Sequence, residues 1–167
     1  LALSSCTSKK QQTAEVTPNV PKIILETDIG NDVDDALALD MLYKYLDAGD
    51  IDLLGITINK EGTYPAEYTD IMNTWYGYPL RRQRQMCIRD RDNGEPAFKR
   101  SLKGDYNQLP EAPALYRKLL AQQPDSSVTI ISVGFSTNLA RLLDTPADDV
   151  SPLTGKELVA QKVKLLC

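Results

Sequence analysis

Four aspartates crowd one short stretch of the chain. Asp28, Asp32, Asp34 and Asp35 sit in Glu26-Thr27-Asp28-Ile29-Gly30-Asn31-Asp32-Val33-Asp34-Asp35-Ala36-Leu37-Ala38-Leu39. Like charges at such spacing repel one another unless a cation or a hydroxyl-rich ligand compensates them. Helix capping accounts for one or two of these residues, not for four. The donors are all oxygen, with no His or Cys nearby, which points to Ca²⁺ or Mg²⁺ rather than zinc. Gly30 lets the backbone turn sharply or approach a ligand closely. The spacing does not suit an EF-hand, whose loop needs a central Gly and a distal Glu.

The elements that must hold these carboxylates are legible in the flanking pattern. Lys22 to Thr27 reads as a buried strand around Ile23, Ile24 and Leu25. Asp34 to Leu46 reads as a helix, with Leu39, Leu42, Tyr43 and Leu46 at helical spacing, and Gly49-Asp50 ends it. Asp32, Asp34 and Asp35 crowd its N-terminus, where caps and negative charge are favoured. Ile51 to Ile58 is a second strand, and Glu67 to Tyr76 is helical. Pro113 to Gln122 is a helix, Val128 to Val133 a third strand. Ser136 or Thr137 caps a further helix that stops before Pro146, and Thr154 to about Lys164 forms the last. Strands alternating with helices predict an α/β fold with an open, mostly parallel, Rossmann-like sheet and right-handed crossovers. The acidic loop then runs from a strand end to a helix N-terminus, the edge at which ligands sit in such sheets.

Two segments fall outside this pattern. Leu3-Ser4-Ser5-Cys6 fits a bacterial lipobox, with Cys6 as the lipidated residue and the residues up to 20 as a solvated tether. That implies a lipid-anchored protein of the bacterial cell envelope, touching membrane only through Cys6; without lipidation the protein would be cytoplasmic. Residues 80–95 are anomalous. Arg81, Arg82, Arg84, Arg89 and Arg91 have neither period, where the alternation calls for another apolar strand. They read as a basic patch, as a solvated loop, or as non-native text, since Met86 to Arg91 resembles a translated adaptor read-through. Cys6, Cys87 and Cys167 form neither a metal pattern nor a disulfide framework.

The chain has 167 residues, 19 basic and 23 acidic, for a net charge of -4, and no histidine. That composition excludes a disordered or fibrous protein and argues against nucleic-acid binding. It also excludes any mechanism in which this chain supplies a His base, acid or ligand.

At Leu25 to Leu39 the sequence resembles the N-terminal signature of the inosine-uridine-preferring nucleoside hydrolases, a strand followed by Asp-x-Asp-Pro-Gly-x-Asp-Asp-Ala. It departs from that form in three ways: Glu26 replaces the first Asp, Ile29 replaces the Pro, and two extra residues precede Asp34-Asp35. Val128 to Ala140 resembles the family's later strand and its Thr-Asn-Leu-Ala helix start. The likeness runs from about Pro21 to the last residue, broken by the arginine-rich segment.

The resemblance implies Ca²⁺-dependent hydrolysis of the N-glycosidic bond of ribonucleosides to ribose and free base. It implies that Asp28 ligates Ca²⁺ and acts as general base on the bound water. Asp35 would be a bidentate ligand and Asp34 would bind a ribose hydroxyl. Asp32 joins the metal set, with the division among the three open. The Val133 carbonyl would be a further ligand. Asn59 is a ribose-binding candidate, offset from the family position. Tyr64, Tyr68, Trp75 and Tyr78 could stack on a base, or be core.

The family's remaining Asp ligand, His and Asn residues come from a C-terminal half. The present chain is therefore expected to be an inactive N-terminal part of the domain, with Leu165-Leu166-Cys167 entering another strand. The family is commonly oligomeric. Two alternatives stand beside this one: a non-catalytic, Ca²⁺-dependent riboside- or polyol-binding lipoprotein, and a haloacid-dehalogenase-type phosphotransferase. Glu26, standing where that type's nucleophilic Asp belongs, weighs against the second.

Overall fold

The structure is a computed structural model, and it describes residues 20–78, 101, 106 and 109–167. The lipobox cysteine, Cys87 and the arginine-rich segment lie outside the described residues. No helix among the described residues is long and apolar enough to cross a membrane.

Among the described residues nine elements follow in chain order: β1 (Lys22–Thr27), α1 (Asp34–Ala48), β2 (Asp52–Ile58), α2 (Tyr64–Trp75), α3 (Ala112–Ala121), β3 (Val128–Ser132), α4 (Thr137–Leu143), α5 (Gly155–Lys162) and β4 (Val163–Leu166). The strands form one sheet in the order β2-β1-β3-β4, and every pairing is parallel. The α/β class with an open, Rossmann-like parallel sheet is as expected.

Alternation along β1 sends successive side chains to opposite faces. Ile23 and Leu25 join Ile29, Leu39, Leu42, Tyr43 and Ile56 on the face covered by α1, with Tyr68 and Met72 of α2 packed alongside. Ile24 faces the other way, among Val128, Ile130, Tyr116, Leu120, Leu142 and Leu158, beneath α3, α4 and α5. Ile24, Leu25 and Leu39 are fully buried, each contributing about 1.5–3 kcal/mol of apolar burial. The chain leaves β1 for α1 on one face and reaches β3 from α3 on the other. The strand order therefore reverses between β1 and β3, the switch point at which ligands sit in open sheets of this kind.

Some boundaries differ from the sequence expectation. Helix α2 begins at Tyr64 rather than Glu67, because Pro65 falls in its first turn, where a missing N–H costs nothing. Helix α5 stops at Lys162, short of Lys164. Val163 is not a helical partner of Val159 but the first residue of β4, paired with Val128. The strand expected at Leu165-Leu166-Cys167 thus exists and starts two residues earlier. Thr154 caps α5 through a reciprocal capping box with Glu157. Neither α1 nor α4 has a side-chain cap bond: Val33 and Ser136 occupy those cap positions.

The loop between α4 and α5 is held by Arg117, which is 2% exposed. Its Nε and Nη2 donate to the two Asp148 carboxylate oxygens at 2.7 Å. Its remaining bonds go to Thr145 Oγ1 and the carbonyls of Ser151 and Leu153. The guanidinium holds the Asp148 carboxyl down at about 2.

Candidate functional site

Two loops, one after β1 and one after β3, meet over this switch-point crevice. The first, residues 28–33, is pinned at its root. Ile29 buries its side chain in the core at 2% exposure. Its N–H donates to Thr27 Oγ1 at 3.1 Å, and the Thr27 hydroxyl donates to Asp35 Oδ1 at 2.5 Å. Thr27 thus sets the angle at which α1 presents Asp35. Gly30 has φ 121°, a conformation that a side chain would strain. It reverses the chain and leaves Asn31, Asp32, Val33 and Asp34 exposed.

Asp32, Asp34 and Asp35 bring one carboxylate oxygen each to within 4.8 Å of one another, and Asp35 is buried. The missing cap bond on α1 means that these acids are not there as caps. Proximity has the expected electrostatic consequence. A hydrogen bond shared with Asp34, and the Asp34 charge, push the Asp32 carboxyl up. Burial pushes Asp35 up, opposed by the Thr27 bond, with the charges of Asp28, Asp34 and Asp32 adding to the rise. Asp28 is half-buried and stands outside the group of three, but its charge bears on both Asp32 and Asp35.

The opposite wall is the turn after β3. Val133 N–H donates to the Glu26 carbonyl at 2.9 Å. Gly134 lies against Asp28: a methyl group at residue 134 would fall 2.6 Å from Asp28 N and 3.0 Å from its Oδ1. Residue 134 is Gly because of that approach. Phe135 exposes its ring at the rim. Asn138 at the start of α4 donates to the Ile58 carbonyl, tying this wall to β2.

Asn59 lies at the base. Its backbone N–H continues the sheet onto Thr27 O at 3.0 Å. Its Nδ2 donates to Glu26 Oε1 at 3.2 Å and to the Phe135 carbonyl. Among the described residues no donor meets its buried Oδ1. Lys60, next along, donates to Asn31 of the acidic loop. Lys60 also borders a cavity of about 130 Å³ beside β2, lined by Thr57, Ile58, Ala66 and Leu115 among others.

The structure therefore places Asp28, Asp32, Asp34, Asp35, Asn59 and Val133 around one crevice. It groups Asp34 with Asp32 and Asp35. Of the four aromatic candidates, Tyr68 packs against the core and Tyr78 stacks on Tyr43 at 6.0 Å with its hydroxyl on Asp47. Tyr64 and Trp75 are exposed.

One residue of the site carries no role in the sequence reading. Glu26 is fully buried at the end of β1. Tyr116 Oη donates to its Oε2 at 2.6 Å, and Thr57 Oγ1 donates to Tyr116 Oη at 2.9 Å. Burial pushes its carboxyl up, against the pull of the Tyr116 and Thr57 hydroxyls. The signal in the sequence was a charged residue directly after the apolar run Ile23-Ile24-Leu25. Its burial leaves it no route to a substrate as a nucleophile.

The donor set fits a hard divalent cation. Ca²⁺ takes oxygens at about 2.3–2.6 Å, so two oxygens on one ion stand up to about 5 Å apart; for Mg²⁺ the limit is about 4.2 Å. The three carboxylate oxygens, within 4.8 Å of one another, could share one such ion.

No protein-family model matches the chain, and no curated protein and no solved structure matches it.

Proposed function

We propose that the crevice binds Ca²⁺ and the hydroxyls of a ribose, in the service of N-glycosidic bond hydrolysis of nucleosides. The observation that carries this reading is the convergence of Asp32, Asp34 and Asp35 within 4.8 Å at the strand-order reversal. The likeness of Leu25 to Leu39 and Val128 to Ala140 to nucleoside hydrolases supports it independently.

Asp32 and Asp35 would hold the ion, with Asp28 and the Val133 carbonyl as further ligands from the two loops. When bound, the cation orients the 2′ and 3′ hydroxyls and acidifies a water. Asp28 takes the proton of the attacking water. Asp34 accepts from a ribose hydroxyl. Asn59 has its Nδ2 engaged by Glu26 and Phe135 and its Oδ1 buried, so a ribose hydroxyl would reach that oxygen only with a shift of the Phe135 turn. The carboxylate array stabilises the oxocarbenium-like charge that builds on the ribose as the base departs. In this reading the protein is tethered to the bacterial cell envelope through lipidated Cys6.

Calorimetric titration of the chain with Ca²⁺, then with inosine or uridine, tests the proposal. The expected result is one saturable Ca²⁺ site, lost in Asp32→Asn/Asp35→Asn, with nucleoside binding only in its presence. No saturable heat with millimolar Ca²⁺ would overturn it. Release of free base by this chain would overturn its expected inactivity as an N-terminal part.

A further inference from the structure

We propose that Glu26 is a positioning residue for the crevice: its buried carboxylate holds Asn59, and through Asn59 it seats the Val133-Gly134-Phe135 turn against Asp28. Four contacts carry this. Glu26 Oε1 accepts from Asn59 Nδ2 at 3.2 Å. The same Nδ2 donates its other hydrogen to the Phe135 carbonyl. Val133 N–H donates to Glu26 O at 2.9 Å, and Gly134 abuts Asp28. The turn is thus gripped twice by residue 26, once through its backbone and once through its side chain. The effect on Ca²⁺ affinity rests on the proposed function; the seating of the turn does not.

The network explains why residue 26 is Glu. The carboxylate must reach Tyr116 on α3 and Asn59 beyond β2 together, at 2.6 and 3.2 Å. Asp would withdraw it by about one C–C bond, ~1.5 Å, which breaks both bonds. Gln keeps the reach, and the network can reverse its polarity to accept it. Gln Oε1 still accepts from Asn59, and its amide donates to Tyr116 Oη. Tyr116 then donates to Thr57 Oγ1, whose own hydrogen has the Leu25 carbonyl at 3.4 Å. Reach, not charge, is the property that positions the turn.

The test compares Glu26→Gln, Glu26→Asp, Asn59→Leu and the Asp/Leu double variant in the full chain. Readouts are melting temperature, hydrogen exchange of the Val133 amide in EDTA, and Ca²⁺ affinity by calorimetry. Glu26→Gln should exchange like wild type. Glu26→Asp should exchange about tenfold faster or more, the loss of one buried hydrogen bond, with weaker Ca²⁺ binding. Asn59→Leu should match it, and the double variant should add nothing. Should Glu26→Asp not fold, the Asn59→Leu and Glu26→Gln pair carries the same comparison. Asp rescuing while Gln fails, or an unchanged Val133 amide in Asn59→Leu, would overturn the proposal. Absent Ca²⁺ binding in wild type would sink the cation reading alone, because the exchange measurements decide the positioning without metal.

Discussion

Replacing Asp35 by Asn should stabilise the metal-free fold and abolish its response to Ca²⁺. Asp35 is 3% exposed, and its carboxylate oxygen lies within 4.8 Å of those of Asp32 and Asp34. At that distance each neighbouring charge costs about 1 kcal/mol if fully hydrated and about 3.5 kcal/mol at an effective dielectric of 20. Asn keeps the shape and still accepts from Thr27, losing about 1 kcal/mol of charge assistance. With both neighbours charged, the net gain at pH 7 is about 1–6 kcal/mol, which at about 2–4 °C per kcal/mol for a chain of this size raises the melting temperature by at least a few degrees. The pH dependence follows from the raised carboxyl. Folding favours the protonated form, so that contribution is complete below the ordinary value of 3.8 and is lost as pH rises through the higher folded value. Asn mimics the protonated state throughout. Its advantage should therefore be full at pH 7 and should vanish below about 3.8. With Ca²⁺ at about 100 times Kd, wild type should gain about 2.7 kcal/mol and the variant almost none. Thermal melts by circular dichroism, in EDTA and in Ca²⁺ at two pH values, measure all four quantities. A variant destabilised equally at both pH values, or stabilised by Ca²⁺ like wild type, would refute the reasoning.

Gly134→Ala should push the turn away from Asp28, because the new methyl meets backbone N at 2.6 Å. A loss of about 1–3 kcal/mol in urea unfolding is expected, together with weaker Ca²⁺ binding. Arg117→Met should cost about 2–4 kcal/mol, since five hydrogen bonds go with the guanidinium while the 40% exposed Asp148 can rehydrate. The acid limb of stability should report the same pair. Asp148 is depressed to about 2, so its contribution is present above 3.8, the ordinary value, and is lost as pH falls through about 2. Arg117→Met should flatten that limb in a pH series of urea midpoints.

The parts of the fold legible in the sequence are those whose signal is local. The apolar run of β1 and the 3.6-residue period of α1 placed both within two residues of their observed ends. The Val159/Val163 spacing misled because four residues of apolar sequence fit a helix turn and a strand equally; the ladder with β3 decided it. The four aspartates were legible by density alone. Glu26 was visible only as a departure from a pattern, because its partner Tyr116 is 90 residues away. Arg117 and Asp148, 31 residues apart, gave no sign either. No local period encodes a contact between two loops or between a helix and a distant strand end.

The central position of β1 also sets an order of events in folding. Its pairing with β2 needs only the α1 crossover between them, so that half of the ladder can form early. Its pairing with β3 joins Lys22 to Val128 and must close a far longer loop first. Until it does, Ile24 and the buried side of Glu26 have no cover from Tyr116, Leu120 or Ile130. The strand edge that later forms the floor of the crevice is then an open template for pairing with another chain. A growing polypeptide carries that exposed edge through the synthesis of about 100 residues, seconds at ordinary elongation rates. Recovery of soluble protein should therefore depend more on expression temperature and chaperone supply than the stability of the finished fold would indicate.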